Sequence, residues 1–118
     1  MRAHLVLAAA GAALIAAAAP VHAKDRTGYQ AISAGDFERA EKRLEAERRI
    51  YPNRPELLLN LAHVYRHTGR TAQARALYAR VLAQQPVEMD LPSGEMATSH
   101  QLASLGLALL SSNDIAAR

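Results

Sequence analysis

The sequence predicts an all-α protein, a short solenoid of antiparallel helix pairs closed by one C-terminal helix. Three observations carry that expectation. Sliding the chain along itself by 34 residues superposes small, aromatic and proline residues. Between turn signals, apolar residues recur at helical spacing. The composition, 50% apolar and 21% charged with one Phe and no Trp, fits an alanine-rich helical chain rather than a disordered one.

The first segment is an export signal. Arg2 supplies a positive start, Leu5 through Ala19 carry no polar side chain, and Pro20 is followed by Val21-His22-Ala23. This is the pattern of a Sec-type signal peptide, with residues 1–23 removed by a cut after Ala23 and the remainder periplasmic or secreted. A membrane span needs roughly 20 apolar residues, so this shorter, alanine-rich run leaves no stable span after cleavage. The absence of cysteine excludes disulfides, thiolate metal sites, a cysteine nucleophile and a lipid-bearing cysteine. Stability must come from packing alone.

Residues 24–52 form the first helix-turn-helix unit, with a degenerate first helix, and 53–86 form the second. The 34-residue offset aligns Gly28 with Ala62, Gly35 with Gly69, Ala40 with Ala74, Leu44 with Tyr78 and Pro52 with Pro86. Small residues let helix backbones approach, Gly35 and Gly69 can take positive φ in tight turns, and the prolines stop the second helices. Asn53 with Glu56 reads as a capping box before Pro55, Thr98 with Gln101 as another, and Asp36 and Thr71 as caps of the second helices. From Phe37 to Arg49 the residues Phe37, Ala40 and Leu44 share one face. Glu38/Lys42 and Glu45/Arg49 form i,i+4 pairs on the other.

Strict periodicity would start the next helix about ten residues earlier than it does, so 87–98 is an insertion. Val87, Met89 and Leu91 alternate with Glu88 and Asp90, and Pro92-Ser93-Gly94 signals a turn; a short hairpin and an irregular loop both fit. Residues 99–118 then supply a capping helix and tail. The face Leu102, Leu105, Leu109 and Leu110 is expected to cover the second unit, while Leu107 off that face leaves room for self-association.

The residues Leu58, Leu61-Ala62, Tyr65, Gly69, Ala74, Tyr78, Leu82 and Pro86 give the second unit a spacing that resembles the tetratricopeptide repeat family. Leu58 stands where that family often has Trp. The first unit matches less closely, with Ala31 in place of an aromatic residue, and Leu102, Leu105-Gly106 and Leu109 repeat the first-helix pattern once more. The resemblance covers about two and a half units. It implies a concave surface that binds an extended peptide or a partner's helix. By the same resemblance Tyr29 and Ser33 line that surface from the first unit, Glu56, Leu59, His63, Arg66 and His67 from the second, and His100 from the third. The family's clamp for a terminal carboxylate uses Lys and Asn, where this chain has Leu59 and His63, which argues against that ligand.

Charge is unevenly spread about a net of +3. Residues 36–49 balance acids and bases, 53–85 hold five Arg against Glu56 alone, and 87–98 hold only acids. Without clustered bases and interleaved aromatics, nucleic acid is not an expected partner. The chain has no P-loop, Gly-x-Ser-x-Gly elbow, dinucleotide fingerprint or calcium loop, and no nucleophile beside a base, so no enzyme and no cofactor are expected. His63 and His67 share a helix face at i,i+4, the spacing of a two-histidine zinc site. Two ligands do not complete one, and Arg66 opposes a cation there. The resulting expectation is an exported protein-binding scaffold of the bacterial envelope, whose groove gains charge as pH falls toward about 6. The alternative is a metal- or pH-responsive accessory protein using His63, His67 and His100.

Overall fold

The computed structural model describes residues 3–4 and 28–116. In chain order the elements are β1 (Ala3–His4), α1 (Tyr29–Ser33), α2 (Phe37–Ile50), α3 (Pro55–His67), α4 (Thr71–Leu82), β2 (Glu88–Asp90), β3 (Met96–Thr98) and α5 (Ser99–Ala116). The fold is mostly helical, with α1/α2 and α3/α4 as successive pairs. Apart from Ala3–His4, the expected signal segment lies outside the described residues, and so does residue 24–27 of the first unit. No helix among the described residues is long and apolar enough to cross a membrane.

Both inter-helix turns use the same device. Gly35 and Gly69 adopt φ of 75° and 79°, the left-handed region open to glycine. At the first turn the Gly35 amide donates to the Ile32 carbonyl at 3.0 Å and the Asp36 amide to Ala31 at 2.8 Å; at the second, the Arg70 amide donates to Tyr65 at 2.8 Å. These are the bonds of a Schellman ending, which satisfies carbonyls left over at a helix C-terminus. Asp36 then caps α2 by accepting from the Arg39 amide at 3.1 Å.

Two of the expected caps fail, each for a visible reason. The N-cap of α3 is Arg54, one residue later than Asn53, and Pro55 opens the helix. Asn53 is used elsewhere: its side chain accepts from Arg80 and its carbonyl from the Gln84 amide group at 3.0 Å, tying the start of α3 to the end of α4. Thr71 is the first residue of α4 rather than its cap, which falls on Arg70. The Thr98/Gln101 box does form. The Gln101 amide donates to Thr98 Oγ1 at 3.1 Å and the Thr98 amide to Gln101 Oε1 at 2.9 Å.

α3 is the central rod, with every residue from Leu57 to Tyr65 buried and α2, α4 and α5 packed around it. Side chains with bulk meet positions without it. Leu44 of α2 lies against Gly28, and the Tyr78 ring of α4 lies against Gly106 of α5 so closely that a Cβ there would stand 2.2 Å from the ring. Polar links reinforce the α2–α3 seam: the Tyr65 hydroxyl donates to Glu45 at 2.6 Å, and Arg70 pairs with Glu41 beneath it. Burial, with the Glu45 carboxylate adding to it, pushes the Tyr65 phenol up to about 12. On the outer surface Glu38 and Lys42 pair at 3.6 Å, both largely exposed, so their contribution is under about 1 kcal/mol.

The closing face of α5 is rotated from the sequence expectation. Leu102, Ala103, Gly106 and Leu110 are buried and Leu107 packs against the core, whereas Leu105 is 41% exposed. Gly106 has to face Tyr78, and Leu105, about 100° away around the helix, is turned outward as a result. Residues 87–98 fold back as an antiparallel pair, Glu88 opposite Thr98, Met89 opposite Ala97 and Asp90 opposite Met96. Ser99 fastens its base, donating its amide to the Val87 carbonyl at 2.8 Å and accepting the Val87 amide on its hydroxyl at 3.0 Å. Ala3–His4 adds a third, parallel strand on the far side of β2.

Candidate functional site

The residues expected to line the concave face do not gather at one point. Those of the second unit run along α3, from Glu56 at its start to His67 at its end, a span of about 16 Å at 1.5 Å per residue. Glu56 is half-buried and ion-paired with Arg54 at 3.3 Å. Burial nevertheless pushes its carboxyl up, against the pull of its own backbone hydrogen bond and of Arg54. Leu59 and His63 are each 1% exposed, so they pack rather than present themselves. Tyr29 and Ser33 sit half-buried on α1, with the Ser33 hydroxyl buried and without a hydrogen-bond partner.

The C-terminal turns of α3 hold the densest chemistry. The rings of His63 and His67 lie 4.3 Å apart, and Phe37 of α2 stacks on His67 at 5.1 Å and tilts against His63 at 6.3 Å. The Arg66 Nη2 approaches His63 Nδ1 at 3.3 Å. A neutral imidazole accepts that proton, and the surroundings keep His63 neutral: burial first, then His67 and Arg66, lower its pKa to about 3. His67 is lowered as well, by burial and by Arg66. The expectation that this face gains charge as pH falls toward 6 is therefore corrected at His63, whose proton affinity burial holds well below that range.

Arg66 differs from the other described arginines in that its Nε is buried without a hydrogen-bond partner. Arg39, Arg54 and Arg70 each pair with a carboxylate. Among the described residues Arg66 has no carboxylate in reach; its neighbours are neutral His63 and the Tyr78 phenol. Burial raises the Tyr78 pKa and the Arg66 guanidinium opposes the rise. The Arg66 Nε and the Tyr78 hydroxyl are both buried without a hydrogen-bond partner. Donors left in this state are costly unless a further acceptor meets them.

His100 is not part of this cluster. Its Nε2 lies 2.7 Å from the Gln84 carbonyl, so it fastens the end of α4 to the start of α5. Among the described residues no group of three His, Cys, Asp or Glu side chains is placed to hold a metal ion. Sequence reasoning placed Phe37 on one face of α2 with Ala40 and Leu44 and missed its stack on His67. The signal available was that the sole Phe falls on the first turn of α2, against the last turn of α3 in an antiparallel pair.

Helix pairs joined by Schellman turns, bulky residues set against small ones across each layer, and a single closing helix together define an α-helical repeat protein. The tetratricopeptide repeat family model matches residues 31–90, half of the chain. The chain belongs to the tetratricopeptide repeat family, whose members are interaction modules and are in general not catalytic. No curated protein and no solved structure matches it.

Proposed function

We propose that the protein is an exported scaffold of the bacterial envelope, which holds a segment of a partner protein against the concave side of α3 with Arg66 and His67 as its polar anchors. The observation that carries this reading is Arg66, a half-buried cation with no carboxylate in reach among the described residues, beside the exposed, Phe37-stacked ring of His67. An acidic or aromatic side chain of the partner completes it: a carboxylate meets the guanidinium with charge-assisted hydrogen bonds, and a ring extends the His67–Phe37 stack. A strip this short offers limited area, so a micromolar dissociation constant is expected, about −8 kcal/mol.

Export rests on the pattern from Arg2 to Ala23, and N-terminal sequencing of protein recovered from the periplasm should begin at Lys24. For the groove, affinity capture from envelope extract compares wild type with Arg66→Ala/His67→Ala, two side chains whose loss spares the core. Loss of the same partner band from the double variant supports the reading. Equal recovery of every protein by both would remove it.

A further inference from the structure

A short sheet accompanies the helices, and its construction is unusual. β2 pairs antiparallel with β3 on one side and, on the other, in parallel with Ala3–His4 from the opposite end of the sequence, Ala3 opposite Met89 and His4 opposite Asp90. β2 is thus the middle strand, and among the described residues Ala3–His4 is its outer neighbour. A strand edge left uncovered presents amides and carbonyls that template another extended chain.

We propose that the outer edge of β2 is a strand-acceptor site, occupied by Ala3–His4 in the unprocessed chain and, after removal of residues 1–23, by a basic extended segment of a partner protein added parallel to β2. The proposal rests on the processing proposed above and uses residues other than Arg66 and His67. The parallel register of Ala3–His4 shows that this edge accepts an extended segment. The edge is also rigidly placed, because Met89 is fully buried and Ser99 bonds both ways to Val87 at the base of the hairpin.

Charge selects the occupant. Residues 87–98 carry Glu88, Asp90 and Glu95 and no basic residue. A second copy pairing edge to edge would bring the same acids together, which is unfavourable, whereas a basic strand is drawn to them. Main-chain hydrogen bonds then supply affinity in the manner of β-strand addition.

The test uses the full chain carrying Ala3→Pro and His4→Pro, which removes the amides of the resident strand without touching the helices. The probe is a fluorescent octapeptide with the sequence of residues 1–8, Met-Arg-Ala-His-Leu-Val-Leu-Ala. With far-UV circular dichroism matching wild type, the variant should bind the probe about tenfold more tightly than wild type does. Adding Glu88→Lys and Glu95→Lys should weaken that binding by about tenfold at low salt. Arg66→Ala in the same background should leave it unchanged, so failure of the α3 site and failure of this one are read separately. Equal binding by wild type and variant, indifference to the charge reversal, or dimerisation of the variant in place of peptide binding would each overturn the proposal.

Discussion

Burial sets the chemistry of His63 more firmly than its position on a groove-facing helix does. Its folded pKa of about 3 lies below the unfolded value of 6.5, so the unfolded chain takes up the proton first as the pH drops. Stability on this account is full above about pH 6.5 and is lost progressively down to about pH 3, in the direction that linkage requires for a depressed base. Between pH 7.5 and 5 the wild type should lose up to about 2 kcal/mol, and His63→Gln less than half of that, measured by urea unfolding at both pH values. Glu56, raised by burial, contributes with the opposite sign, because protonation relieves the cost of burying its charge. Two glycines offer a second comparison. Gly69→Ala meets no atom within 4 Å, so its cost is that of φ alone, about 1 kcal/mol. Gly106→Ala drives a Cβ into the Tyr78 ring and should cost more, about 2–3 kcal/mol by the same unfolding assay. Equal costs would mean that α5 shifts freely on α4.

Among the elements, α5 closes the array. Leu102 and Leu110 are nearly fully buried against the second unit, each contributing roughly 1.5–3 kcal/mol, and Ser99 and His100 tie its start to Val87 and Gln84. Truncation before Thr98 should therefore abolish the cooperative thermal transition, because the faces of α3 and α4 that α5 covers would meet water. A sharp transition in that truncated protein would contradict the closing role. The helices, their order and their turns were legible in the sequence because small, aromatic and proline residues repeat at one offset and because Gly35 and Gly69 have a specific backbone task. Two features were not. The rotation of α5 depends on which of two adjacent positions, Leu105 or Gly106, must face Tyr78, and a wheel of leucines does not decide that. The cap at Asn53 was misread because a side chain able to cap α3 is equally able to bridge to Arg80, and only the packing of α3 on α4 chooses between them.

The whole molecule is a minimal repeat array in which one central helix is buried over nine consecutive residues and its partners take up the surface. That arrangement explains why the groove was only partly legible. Repeat spacing identifies which positions face the concave side, but it does not report that Leu59 and His63 are covered while Arg66 and His67 remain partly open. Nor does spacing bring Phe37 to His67, since that contact crosses from one unit to the next. In the proposed function the partner meets the C-terminal end of α3, where neutral His63 lies beside Arg66, which has no carboxylate in reach among the described residues. The most direct measurement is site-specific photocrosslinking in cells, with a photoreactive residue at His67 and, as control, at Ala72 on the exposed outer side of α4. A protein adduct formed at position 67, absent at 72 and lost on Arg66→Ala, is the predicted result. The same adducts at both positions, or an adduct at 67 indifferent to Arg66, would contradict the account.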